Sequence, residues 1–333
     1  MGRWGRVSVA LVAIAVAASM LLSGAPARAA TRYVDVVFDD IVKTPDIVYG
    51  SAVNSNGVTE QLALDVYEPA GDTLEHRPVY VWAHGGSFKN GDKDSVGPIL
   101  DYVRRGWVAI SIDYRLRPQM PAGYMGILTS PDPVAATQVR LDAARDAQHD
   151  MQAAVRWARA NAVTYRLDPD RIAVGGFSAG AETALLVGFN EHDPGASGNL
   201  AYSSAVAAAV SHAGVMAPVL QGSVDPGDPP IAILHGTDDL TVPYASAYLP
   251  CLATLAVLNT CEVYSFTGRE HGVFGEGLAA DFLYRHVIRG PTNPVASAYV
   301  YPEGDPTTMP TTAVAAVESG IGFGIRLGVV YQP

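Results

Sequence analysis

Arg171-Ile172-Ala173-Val174-Gly175-Gly176-Phe177-Ser178-Ala179-Gly180 runs a short apolar segment straight into a Gly-x-Ser-x-Gly pentapeptide, and an Ala-rich helical segment, Ala181 to Val187, follows at once. Strand, sharp turn and helix in that order are the setting of a nucleophile elbow, in which the serine hydroxyl projects above the end of a sheet. Glycine is called for at 176 and 180 because a Cβ at either place would crowd so tight a bend. The pentapeptide by itself is a common loop. Its place between a buried strand and a helix makes Ser178 a candidate nucleophile.

Outward from that point the chain alternates strands and helices. Asp46 to Asn54 and Gln61 to Tyr67 alternate apolar and polar positions around Asn54-Ser55-Asn56-Gly57, which predicts an antiparallel hairpin at a sheet edge. Pro78 to Ala83 and Val108 to Ile112 are continuous apolar runs, the pattern of strands covered on both faces, with a helix near Ile99 to Arg105 between them. Val134 to Asn161 shows helical spacing with Ala, Met and Trp on one face. Asp168-Pro169-Asp170 reads as a turn feeding the Ile172 to Gly175 strand. Strands at Val206 to His212, Ile231 to Leu234 and Glu262 to Phe266 follow, with a helix around Tyr244 to Leu258. The whole implies an α/β fold with a mainly parallel sheet and helices on both faces. Arg115 to Pro133, rich in Pro and Gly, reads as a loop over the site, a small lid at most, and Gly214 to Pro230 is too short for a large cap. Residues 290–333 read as a wrapping segment or an added edge strand, with Gly322 to Tyr331 as a candidate final strand.

Arg3 and Arg6 precede an apolar run from Val7 to Leu22, and Ala27-Arg28-Ala29 offers a small-residue cleavage site. That is the layout of a secretory signal peptide over residues 1–29, which leaves residues 30–333 as one domain and predicts a secreted protein. The apolar run is shorter than the roughly 20 residues a spanning helix needs. Losing Arg3, Arg6 and Arg28 with no acid takes the formal charge from −11 to −14 (−11 minus 3). An acidic chain of this kind has little affinity for nucleic acid or anionic membrane surfaces. Cys251 and Cys261, the two cysteines, are expected to form a disulfide; no Cys-x-x-Cys or matching His spacing suggests a metal, and no cofactor is implied.

A serine hydroxyl needs an imidazole to take its proton and a carboxylate to fix the imidazole's tautomer. In this arrangement the partners follow in the order acid, then His, on loops after later strands. His235-Gly236-Thr237-Asp238-Asp239-Leu240-Thr241-Val242-Pro243 is one such loop, and Thr267-Gly268-Arg269-Glu270-His271-Gly272 is another. His271 is the candidate base. His76, His149 and His192 lie in polar contexts ahead of those strands, His286 falls in a terminal helix, and His212 and His235 precede a plausible acid. The acid is Asp238 or Asp239; the spacing His-Gly-x-x-Asp-x-x-Val-Pro favours Asp239, with Glu182 and Glu270 as lesser alternatives. Oxyanion donors are expected from the backbone of Ala179 and from the glycine loop His84-Gly85-Gly86-Ser87-Phe88, which directly follows a buried strand.

Taken together, His84-Gly85-Gly86, Asp113-Tyr114-Arg115, Gly176-Phe177-Ser178-Ala179-Gly180, His235-Gly236-x-x-Asp239 and His271-Gly272 resemble the α/β-hydrolase superfamily over about Asp46 to Gly290. Within it the chain resembles the esterase/lipase group of hormone-sensitive-lipase-like carboxylesterases and bacterial feruloyl-esterase-like enzymes. The resemblance implies Gly86 and Ser87 as oxyanion donors and a structural role for Asp113-Tyr114-Arg115. Ser87 stands where the lipase branch carries a third Gly, and Phe177 where it often carries an acid; both point to the feruloyl-esterase-like side. The expected function is ester hydrolysis on a small-molecule or polymeric ester through an acyl-enzyme. A peptidase of the prolyl-oligopeptidase type is an alternative, although the long N-terminal propeller of such enzymes is not seen. A non-catalytic binding protein on the same scaffold is the other.

Overall fold

In the computed structural model, residues 30–119, 132–216, 224–273 and 275–290 are described, together with the backbone of 296–301, 311–315 and 328–330. The expected signal segment therefore lies outside the described residues, as does much of the expected lid and part of Gly214–Pro230. Among those described, strands run β1 (Ile41–Val53), β2 (Thr59–Pro69), β3 (Arg77–Ala83), β4 (Val108–Ile112), β5 (Leu167–Phe177), β6 (Ala208–His212), β7 (Ile231–Gly236), β8 (Cys261–Phe266), β9 (Ala296–Tyr301), β10 (Thr311–Ala315) and β11 (Gly328–Val330). Helices are α1 (Ile99–Arg104), α2 (Pro133–Ala160), α3 (Ala179–Phe189), α4 (Tyr248–Ala256) and α5 (Glu276–Leu283), the last continuing as a π turn over Tyr284–Ile288.

The sheet order is β1-β2-β4-β3-β5-β6-β7-β8-β9-β10-β11. Strands β4, β3 and β5 through β9 run parallel to one another. The β1–β2 hairpin joins antiparallel at one edge, as its alternating pattern predicts. Side chains alternate between the faces. Val79, Val81 and Ala83 enter one core with α2, α3 and α4, while Tyr80 and Trp82 enter the other with α1 and α5. All eleven residues of α3 are buried, which accounts for its lack of a polar stripe.

From β3 the chain crosses to β4 on one side, then returns to β5 on the other, so the topology reverses between β3 and β5. Open parallel sheets bind ligands at the carboxyl ends of strands around such a reversal. Gly85 and Ser178 follow those two strands.

Two expectations need correction. Asp168-Pro169-Asp170 does not precede β5 but bulges within it: Leu167 pairs with Arg77, the register slips, and pairing resumes at Ile172–Val79. The tail is more than one edge strand, because β9 extends the parallel sheet beside β8 and β10 and β11 fold back antiparallel. Tyr299-Val300-Tyr301 was the β-forming signal there, diluted by the surrounding Pro and Thr. The described part of the expected strand Gly322–Tyr331 is Gly328–Val330.

Candidate active site

Ser178 sits between β5 and α3 with φ 55° and ψ −115°, a conformation L residues rarely hold. Local packing enforces it. A Cβ on Gly176 would stand 2.2 Å from the Gly180 carbonyl oxygen, and one on Gly180 would stand 2.0 Å from that of Ala83. The Ser178 N–H donates to the His212 carbonyl at 2.9 Å, tying the elbow to the end of β6. The strained turn leaves the serine 7% exposed, with its hydroxyl at the sheet's carboxyl edge.

Oγ of Ser178 and Nε2 of His271 are 3.0 Å apart. Nδ1 of His271 and Oδ2 of Asp239 are 2.7 Å apart. The other carboxylate oxygen of Asp239 accepts the N–H groups of Thr241 (2.9 Å) and Val242 (2.8 Å), so a buried carboxylate is aimed by its own loop. Asp238 is exposed and takes the Thr237 hydroxyl at 2.8 Å. Between the two neighbours, burial and contact with His271 single out Asp239. The loops carrying Asp239 and His271 are joined by backbone: Asp238 N–H donates to the Arg269 carbonyl and Thr237 N–H to that of Phe266. Gly236 allows this approach, since a Cβ there would meet the Arg269 carbonyl oxygen at 2.2 Å.

The loop after β3 lies directly against the elbow. A Cβ on Gly85 would be 2.9 Å from the Phe177 ring and 3.3 Å from Ser178 Cβ. Gly86, Ser87 and Phe88 have φ of 111°, 58° and 60°, and the Gly86 carbonyl accepts from Lys89 and Asn90 N–H. This left-handed run turns the backbone back on itself immediately after Gly85, the residue that packs against Ser178. His84 anchors the loop: its ring stacks on Tyr114 at 4.4 Å, and the Tyr114 hydroxyl donates to its carbonyl. Burial pushes the His84 imidazole below its ordinary value, as suits a neutral packing group.

The remaining candidates fall into the framework. Burial pushes His212 down to about 4 beneath the elbow. His286 and Glu262 pair at 3.0 Å behind β8, Glu182 pairs with Arg140, and Glu270 is exposed. Asp113-Tyr114-Arg115 is structural: Asp113 takes the Lys93 N–H, and Arg115 grips the buried Asp150. Cys251 and Cys261 form a disulfide between α4 and the start of β8.

Two further residues lie against Ser178, His271 and Asp239 in roles that their sequence motifs do not announce. Phe177 packs its ring 5.0 Å from that of His271. Buried His235, set aside as a base by chain order, brings Nε2 within 3.2 Å of Asp239 Oδ2. The first contact joins residues 94 positions apart in the chain (271 minus 177), whereas the second joins residues only four apart. A cavity of about 600 Å³ is lined by Phe177 of the elbow, by Gly85 and His84 of the loop after β3, and by Trp82, Pro98 and Glu276.

Comparison with known proteins agrees with this architecture. Residues 137–220 match the BD-FAE family. Esterase LipQ of Mycobacterium tuberculosis is 27% identical over 242 residues, covering 62% of this chain and 51% of LipQ, so the match spans about half that relative's length. The propionate-bound esterase Est2 of the Planctomycetes species Thermogutta terrifontis superposes with a TM-score of 0.56 at 25% identity, covering 72% of this chain and 93% of Est2. A truncated carbohydrate esterase from gut microbiota, at 19% identity, shares the fold with a TM-score of 0.57, covering 78% of this chain and all of that one. The chain has the α/β-hydrolase fold. Within that fold its sequence is similar to members of the esterase/lipase group.

Proposed function

We propose that the protein is a secreted carboxylic ester hydrolase that works through an acyl-enzyme on Ser178. The observation that carries this reading is the relay Ser178 Oγ–His271 Nε2 at 3.0 Å and His271 Nδ1–Asp239 Oδ2 at 2.7 Å. The carboxylate only accepts, so Nδ1 carries a proton and Nε2 is left to accept from the serine. Ser178 attacks the ester carbonyl as His271 takes its proton. Backbone N–H groups of Ala179, Gly86 and Ser87 bind the developing oxyanion, donors worth about 2.7–4 kcal/mol each where such groups are removed. The imidazolium then protonates the departing alcohol, and water attacks the acyl-enzyme by the same route.

Support for esters over amides comes from the relatives, which are named esterases. Support for export is the charged, then apolar, then small-residue order of Arg3, Arg6, Val7–Leu22 and Ala27-Arg28-Ala29. The decisive assay is turnover of p-nitrophenyl butyrate by wild type and Ser178→Ala, with fluorophosphonate labelling of the wild type. Loss of turnover in the variant and labelling at Ser178 are expected. Undiminished activity in Ser178→Ala would remove the mechanism. A panel of short and long acyl, feruloyl and acetyl-sugar esters, run beside peptide substrates, assigns the substrate class. N-terminal sequencing of exported protein is expected to begin at Ala30.

A further inference from the structure

We infer that His235 is a positioning residue for the triad carboxylate, holding Asp239 toward His271; the role rests on the serine-esterase reading above. His235 is fully buried at the penultimate position of β7. Its Nε2 lies 2.9 Å from the Val242 carbonyl oxygen. A carbonyl accepts only, so Nε2 carries the ring proton and the tautomer is fixed. The same N–H edge stands 3.2 Å from Asp239 Oδ2, the oxygen that also receives His271 Nδ1.

These contacts close a ring. Asp239 Oδ1 holds the Val242 N–H, His235 holds the Val242 carbonyl, and the His235 edge faces Oδ2 of Asp239. Val242 is thus held at both ends of the residue. Asp239 cannot turn from His271 without abandoning two backbone donors and the imidazole edge. The anchor is rigid because β7 is paired on both sides, with β6 and with β8. Among the described residues, the titratable groups around the ring are Asp239, His271 and Tyr244, whose ring centroid is 6.1 Å away. Burial lowers His235 below its ordinary value. It therefore acts as a neutral donor and leaves the carboxylate's charge for the imidazolium that forms during turnover.

The test uses His235→Gln, His235→Asn and His235→Phe in the full protein, with p-nitrophenyl butyrate kinetics and thermal melts. A glutamine amide reaches the place of imidazole Nε2, whereas asparagine ends near Nδ1 and cannot. Loss of a supporting partner should lower kcat about tenfold or more in His235→Asn and His235→Phe, with KM within about twofold, and His235→Gln should return to within about threefold of wild type. Should His235→Phe fail to fold, the amide pair decides alone. Wild-type kcat in His235→Asn would overturn the inference. So would a glutamine variant as slow as the asparagine one at equal melting temperature, or a loss confined to KM. Ser178→Ala run alongside separates the two readings. If that variant stays active, the esterase mechanism fails; if it is dead while His235→Asn turns over normally, only the role of His235 fails.

Discussion

His271 and Asp239, 32 positions apart in the chain, meet through a 2.7 Å contact between Nδ1 and Oδ2, whereas Asp238 points to solvent. Adjacent acids of identical chemistry are thus separated by burial and direction. Replacing Asp239 by Asn swaps an acceptor for a donor opposite Nδ1 and favours the wrong tautomer. We expect Asp239→Asn to lose about 10³–10⁴-fold in kcat and Asp238→Asn to stay within about threefold. Steady-state kinetics on p-nitrophenyl butyrate checks both; equal losses would refute the assignment.

Gly180 packs its Cα against the backbone end of β3. A methyl group there would lie 2.0 Å from the Ala83 carbonyl oxygen and 2.6 Å from that of His84. Neither backbone can yield without disturbing the turn at Ser178 or the loop that follows β3. Gly180→Ala should cost about 3 kcal/mol in urea unfolding and abolish turnover. Gly97→Ala, with open space around its Cβ, should stay within about 0.5 kcal/mol.

Glu262 predicts how the fold responds to acid. Burial by itself would raise its carboxyl, but hydrogen bonds from Arg285, His286 and Tyr264 outweigh that and hold it down at about 2. A carboxylate depressed on folding contributes stability that is fully present above its unfolded value, about 4.3, and is lost as pH falls toward the folded one. Between pH 5 and pH 2 the stability gap between wild type and Glu262→Gln should therefore narrow, by on the order of 3 kcal/mol. Urea midpoints measured across that range check it; a constant gap would contradict the network.

Cys251 and Cys261 close a loop with a sequence separation of 10. On the chain-entropy estimate that linkage contributes about 2–3 kcal/mol. The bridge reaches the start of β8, whereas His271 follows its far end. The double Cys→Ser variant should melt several degrees lower yet keep its kcat at 25 °C. A lowered kcat at unchanged stability would show that α4 positions the loop carrying His271.

Much of this site could be read from local pattern. Gly176-Phe177-Ser178-Ala179-Gly180 announces its own geometry, because the clash that demands glycine arises within one turn of chain. The hairpin, the buried strands and the long amphipathic α2 are legible for the same reason, since periodicity of 2 or 3.6 is a property of neighbours in sequence. The bulge at Asp168 was hidden because pairing with Arg77, a distant residue, keeps Leu167 in the sheet. The tail strands were hidden because β9 needs β8 as its template before its short apolar run gains hydrogen bonds.

From the order of residues alone came the elbow, the sequence in which acid and base follow it, and the alternation that builds a parallel sheet. Residue spacing already favoured Asp239 over Asp238, but only the folded molecule buried it against His271, set Phe177 against His271, and brought His235 within 3.2 Å of the Asp239 carboxylate. Backbone sterics and periodicity act over a few residues and are written locally. Burial, direction and the sharing of one carboxylate by two imidazoles exist only once β7 and β8 lie side by side.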